Sequence, residues 1–217
     1  MIPLGDETRL PSRFAGVTVL IIGINAALFL LELGGGEAFV TRWAATPSQI
    51  AGGHHLETLL TSMFMHASWS HIIGNMIFLW AFGPEIEDAM GPLRYAVFYL
   101  LGGLIAMSAQ ILADPGSTIP GLGASGAIAA VMGAFLITYP QDRIRTVIFF
   151  GWWIGVRFIP ALFLIGFWLL MQLFDLGVVA DTQQGGVAYM AHIGGALFGV
   201  VTARFFEGYS PGMRGRA

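Results

Sequence analysis

Between its charged clusters this 217-residue chain runs in apolar stretches. Each is about 20 residues long, the length a helix needs to cross a ~30 Å hydrocarbon core. Charged residues make up 11% of the chain and hydrophobic ones 56%, where soluble domains carry roughly 25% charged residues. That balance excludes an ordinary cytosolic enzyme, and so much apolar surface excludes a disordered chain. The absence of cysteine removes disulfides, thiolate catalysis and cysteine metal sites together. With no lysine and no basic block, nothing points to nucleic acid.

Six spans are expected: Ala15–Leu33, Met63–Phe82, Tyr95–Leu112, Gly123–Tyr139, Phe158–Phe174 and Val187–Phe205. The breaks carry turn chemistry, as in Gly34-Gly35-Gly36, Gly91-Pro92 and Asp114-Pro115-Gly116. The first run, from Phe14, is too long for a signal-peptide core and reads as a retained anchor. An all-α membrane domain over residues 14–206 follows, with short tails at 1–13 and 207–217. Arginine placement orients it. With six spans, nine of the ten arginines fall on the side that holds both tails, and only Arg42 falls opposite. By the excess of positive charge on cytoplasmic loops, both termini are cytoplasmic, and a bacterial plasma membrane fits. The long connection Val40–Ser62 reads as a structured element in the outer interface. Arg143–Arg157, with Phe149, Phe150, Trp152 and Trp153, suits the aromatic belt on the cytoplasmic side.

Polar groups inside a bilayer are expensive and each is a functional hypothesis. Ser125, His71, Asn75 and His192 lie far apart in sequence. In the six-span topology they fall at similar depth, within roughly 10 Å of the outer interface, on three helices running the same way. Gly123-Ala124-Ser125-Gly126-Ala127 makes the start of span four almost bare backbone, and Gly195 and Gly199 give span six a matching small-residue face. Two such helices pack closely enough for Ser125 and His192 to meet. A serine hydroxyl needs a base to become a nucleophile, and neutral histidine can serve. His71, the Asn75 amide and the Ser125 backbone N–H are available to donate to an oxyanion. No Asp or Glu lies near this depth, so a two-residue Ser–His dyad is expected. Taken singly, Ser125 reads as a packing residue and His192 as polar glue between helices; their joint depth, face and order favour a site. His54, His55 and His66 have irregular spacing for a metal, and none is expected. Glu32 and Glu57 read as solvated ends.

At these residues the chain resembles the rhomboid family of intramembrane serine proteases. Gly123-Ala124-Ser125-Gly126 fits its GxSG motif, His71-Ile72-Ile73-Gly74-Asn75 its HxxxN motif, and Ala191-His192-Ile193-Gly194-Gly195-Ala196-Leu197-Phe198-Gly199 its AHxxGxxxG motif, in family order. A lone GxSG is shared with soluble hydrolases; the three together are specific. The resemblance implies a six-helix bundle with Ser125 as nucleophile, His192 as general base and acid, and His71 with Asn75 as oxyanion donors. It implies that His66 supports the outer loop and that Glu87 and Gly91 are structural. Arg42 and Trp43 stand in reversed order relative to a family pair, and no role is carried over. The residue one turn after the serine, often an aromatic that packs on the histidine, is here Ala129; what holds the His192 ring is not legible in the sequence.

The implied substrate is a transmembrane segment of another membrane protein, in the lipid bilayer, cut near its outer end where small residues loosen the helix. No cofactor is implied. Residues Asp175–Gly186 with the outer end of span five are expected to cap the site. Two other classes are open to such a chain. A catalytically dead relative that binds membrane clients would usually lack the serine or the histidine, and both are present. A small transporter would show charges near the midplane, and none is found.

Overall fold

The computed structural model describes residues 1–6, 11–182 and 189–208. Six long helices follow the expected order: α1 (Gly16–Trp43), α4 (Trp69–Met90), α5 (Pro92–Ala113), α6 (Ser125–Thr138), α7 (Ala161–Thr182) and α8 (Tyr189–Phe206). The short helices α2 (Pro47–Ala51) and α3 (Thr58–Thr61) and a 3-10 turn, Ser62–Phe64, lie between α1 and α4. By length and hydropathy alone, α1 and α5 are long and apolar enough to cross a membrane. At Gly36 the backbone of α1 leaves the helical region with φ 65°, a conformation open to glycine. The apolar part of α1 therefore ends at the three-glycine run.

α6 is the hub. Every residue from Gly126 to Phe135 is buried, the mark of a helix surrounded on all sides. It packs most extensively on α8, and also on α5 and α4. The α6–α8 contact is made by backbone against backbone. A Cβ at Gly195 would overlap the Gly126 carbonyl, one at Gly199 the Ala130 carbonyl, and one at Gly133 the Ala196 carbonyl. Only glycine permits this approach. The rest of the core is aromatic and aliphatic, with Phe82, Tyr95, Phe98, Tyr99, Phe135 and Ile165 fully buried.

One end of the bundle gathers the carboxyl ends of α4, α6 and α8 with the amino ends of α1, α5 and α7. There Glu87 accepts from the Val17 and Thr18 backbone N–H groups at 2.9 and 2.7 Å and from the Thr18 hydroxyl at 2.8 Å. A carboxylate from α4 thus caps the positive end of α1. Arg204 donates to the Ile137 carbonyl at 2.7 Å and to Glu207 at 2.9 Å, and Arg94 to the Glu207 carbonyl at 3.1 Å. Arg42 lies at the other end of the bundle, bonded to Glu57 at 3.2 Å and with its guanidinium over the Trp43 ring. The separation of Arg42 from the other described arginines agrees with the sequence reading.

The expectation of an all-α chain is corrected at the arginine-rich end. Ile2–Asp6 forms strand β1, Arg143–Phe150 strand β2 and Trp153–Pro160 strand β3, in an antiparallel sheet of order β1-β2-β3. The reason is local. β2 is rich in β-branched and aromatic residues (Ile144, Thr146, Val147, Ile148, Phe149), which suit a pleated surface. Gly151, with φ 58°, begins the two-residue turn that returns the chain. Span five accordingly starts at Ala161, three residues later than Phe158. Ile2–Asp6, read as part of a loose tail, is held by β2 with Ile2 opposite Val147 and Asp6 opposite Ile144.

If the glycine seam holds the bundle, Gly199→Leu will destabilise it by about 1–3 kcal/mol through overpacking. Leu197→Ala, at an exposed position on the same helix, will leave stability nearly unchanged. Unfolding in mixed detergent micelles compares the two.

Candidate active site

Opposite the arginine-rich end, the amino ends of α4, α6 and α8 converge. Ser125 is the first residue of α6, and that position depends on the connection before it. Ala45 and Gly121 exchange backbone hydrogen bonds at 2.9 and 2.8 Å, Ser48 N–H donates to the Ser117 carbonyl, and Gly123 N–H to the Ser62 carbonyl at 2.8 Å. The segment between α1 and α4 is therefore structured, as expected, and anchors the run into α6. Gly123 has φ 125°, and a Cβ there would lie 2.8 Å from His71 Nε2. Glycine is required on both counts, and its bareness lets the His71 ring reach the serine's turn.

α6 spans 14 residues, about 21 Å of rise, less than a hydrocarbon thickness. Its amino end meets the first turns of α4 and α8, at His71 and His192. The first N–H groups of a helix have no acceptor within it, so the Ser125 turn presents such donors beside a half-buried hydroxyl.

His192, in the first turn of α8, is buried and places Nε2 2.7 Å from Ser125 Oγ. The sequence-expected meeting of α6 and α8 is thus seen at hydrogen-bond distance. His71 sits in the first turn of α4, which Ser68 caps by accepting from the His71 N–H at 3.2 Å. The Ala67 N–H points to His71 Nδ1 at 3.4 Å. With Nδ1 an acceptor, the ring proton resides on Nε2, which faces Gly123. Asn75, one turn further on α4, is buried, and its Nδ2 has no acceptor among the described residues. All four expected residues lie at one end of the bundle, on three helices that start there.

Behind this cluster lie residues the sequence reading placed differently. Glu32, taken for a solvated end, is buried; its carboxylate accepts the His66 backbone N–H at 3.0 and 3.2 Å. His66 precedes α4 and sets its ring edge-on to His71, 5.0 Å between centroids. Its backbone N–H ties the loop before α4 to Glu32 of α1, while both ring nitrogens have no hydrogen-bond partner among the described residues. Glu57 is exposed as expected, and its own backbone N–H, then His55 and Arg42, hold its carboxyl below the usual carboxylate range.

The ring that backs His192 was not legible in the sequence, and it comes from α7. Trp168 lies with its centroid 5.1 Å from that of His192, tilted by 46°. The same indole meets Phe78 of α4 at 6.3 Å. The aromatic that packs on His192 thus comes from α7, where α6 carries Ala129. A tryptophan one-third of the way along an apolar helix looks like ordinary core, so no local signal could have singled it out. Of the expected cap, Asp175–Thr182 continues α7, and 183–188 lie outside the described residues.

Residues 53–208 match the Rhomboid domain family model. The chain belongs to the rhomboid family. It is 31% identical over 148 residues to presenilin-associated rhomboid-like protein A, mitochondrial, of Danio rerio, covering 65% of this chain and 35% of that protein. It is 34% identical over 131 residues to rhomboid protease GluP of Bacillus subtilis (58% and 25%). RHOMBOID-like protein 12, mitochondrial, of Arabidopsis thaliana is 32% identical over 171 residues (70% and 47%). The chain spans between a quarter and a half of the length of these relatives. The family is embedded in membranes, and so is this rhomboid. Two of these relatives are mitochondrial and one is bacterial, so the comparisons establish membrane residence without supporting the bacterial plasma membrane expected from the sequence.

The geometry predicts a graded effect at Trp168. Trp168→Ala will slow modification of Ser125 by a fluorophosphonate by about 10- to 100-fold, the scale of a misplaced reacting group. Trp168→Phe, which keeps a ring against the imidazole, will stay near wild type. Labelling rates in detergent measure both.

Proposed function

We propose that this rhomboid is an intramembrane serine endopeptidase that cleaves transmembrane segments of other membrane proteins through a Ser–His dyad and an acyl-enzyme. The observation that carries the reading is the 2.7 Å contact between Ser125 Oγ and His192 Nε2 at the head of a short, buried helix. In this mechanism His192 Nε2 takes the hydroxyl proton as Ser125 Oγ attacks the scissile carbonyl carbon. The resulting oxyanion accepts from the Ser125 N–H, His71 Nε2–H and Asn75 Nδ2. The imidazolium then gives its proton to the departing amine, leaving an ester on Ser125. Water, deprotonated by His192, hydrolyses that ester and restores the serine.

The reading places the membrane domain at 14–206, six spans in the bilayer, both termini on the cytoplasmic side and the dyad near the outer face. Each assignment has a physical support. The arginine-rich and dyad-bearing ends of the bundle are opposite, and positive charge favours the cytoplasmic side. Peptide hydrolysis needs water and an extended backbone, both unfavourable in hydrocarbon, so a site near a surface is required. Substrates are segments whose helix is loosened by small residues, so that a strand-like stretch reaches Ser125. The outer part of α7 with the residues after it is the cap that admits them.

Two variants test the proposal. Ser125→Ala will abolish fluorophosphonate labelling, and His192→Ala will reduce cleavage of a model transmembrane substrate by at least about 10³-fold with the fold intact. Unlabelled wild type, or equal labelling of Ser125→Ala, would refute the nucleophile; full activity of His192→Ala would refute the base.

A further inference from the structure

The sheet at the arginine-rich end has an unusual outer face. Antiparallel sheets with one face on the core usually turn polar residues outward. Here Ile144 and Thr146 of β2 are buried against the bundle, while the opposite face carries Phe149 from β2 and Ile154, Val156 and Phe158 from β3, all exposed. The pairing sets these side by side, with Phe149 opposite Ile154 and Val147 opposite Val156. Trp152, at the turn, is 99% exposed. Arg143 and Arg145 stand on the same face, nearer the base of the hairpin. A contiguous apolar patch of this kind, rimmed by charge, marks an interaction surface.

Continuity identifies what covers it. β3 ends at Pro160 and α7 begins at the next residue, with Leu162, Phe163, Phe167 and Leu170 exposed. Those side chains face lipid in a membrane-embedded protein. The base of β3 is therefore at the bilayer surface, and Phe158 lies at the junction of strand and helix. β3 is also an edge strand with one row of unpaired backbone groups, and an open edge cannot enter hydrocarbon. The two constraints leave the headgroup level, where aromatic rings and arginines are both favoured.

We infer that the β2–β3 hairpin lies flat on the bilayer at the arginine-rich end, with Phe149, Trp152, Ile154, Val156 and Phe158 seated among the acyl-chain ends and Arg143 and Arg145 among anionic headgroups. This rests on membrane residence alone and is independent of the proposed catalysis. The hairpin then fixes the level at which α7 enters the bilayer.

The chain's lack of cysteine makes the test direct. Val156→Cys and, as a second site, Ile154→Cys are made in the full chain, spin-labelled and placed in nanodiscs of phosphatidylcholine and phosphatidylglycerol. Power saturation is measured with oxygen, which concentrates in lipid, and with a water-soluble nickel chelate. The expected result is several-fold greater relaxation by oxygen than by the chelate at whichever site yields folded protein. Greater relaxation by the chelate would overturn the inference. So would strong dipolar broadening between labels on separate copies, which would assign the face to a second copy of the chain.

Discussion

The arrangement depends on how closely α6 and α8 approach. Each of Gly133, Gly195 and Gly199 stands against a backbone carbonyl of the partner helix with no room for a Cβ. In lipid, helices gain little from burying apolar side chains against one another, so close van der Waals contact over small residues carries much of the association. The same contact sets the chemistry. Ser125 and His192 both lie in the first turns of these helices, so the seam that locks the axes fixes the hydroxyl and the imidazole at 2.7 Å. A side chain inserted into the seam would separate the helices by more than a hydrogen bond tolerates. Stability and the candidate dyad are thus one constraint.

A second constraint comes from the length of α6. In the proposed six-span reading a helix this short would start its first turn below the membrane surface, where its unpaired N–H groups need acceptors. The loop before α6 is pinned by the Ala45–Gly121 pairing and by Gly123 to Ser62, which fixes where that first turn starts. His71 and Asn75 come from the first two turns of α4. Under the proposed reaction a substrate carbonyl would supply the acceptor, and donors fixed in advance need no reorganisation when charge develops.

The positions of the long helices and of the four polar residues were legible because both follow from solvent. Hydrocarbon permits few polar side chains, so those present stand out, and their depth can be counted in residues. The sheet was not legible for the converse reason. Residues 143–160 are apolar, aromatic and arginine-bearing, a composition that fits an interfacial loop as well as a hairpin, and the pairing with Ile2–Asp6 spans more than 130 residues of sequence. Glu32 was misread because a carboxylate near the end of an apolar run normally reaches water. Here it is buried instead and accepts a backbone N–H from His66, so it is not left without a hydrogen-bond partner. Trp168 escaped notice because its significance lies in what it touches.

That contact links the candidate base to α7. Trp168 meets Phe78 on α4 and His192 on α8, so α7 closes the gap between two helices that carry candidate site residues. On its other side α7 turns Leu162, Phe163, Phe167 and Leu170 outward. A helix packed along one face only is easier to displace than the enclosed α6. Had the supporting ring been on α6, as an aromatic in place of Ala129, the imidazole would rest on a fixed wall. With the ring on α7, moving that helix aside to admit a segment in the proposed reaction would also loosen the imidazole, and its return would restore the orientation. Under the proposed reaction, full basicity toward Ser125 would be regained only when α7 closes again over a seated substrate, which ties the timing of attack to closure.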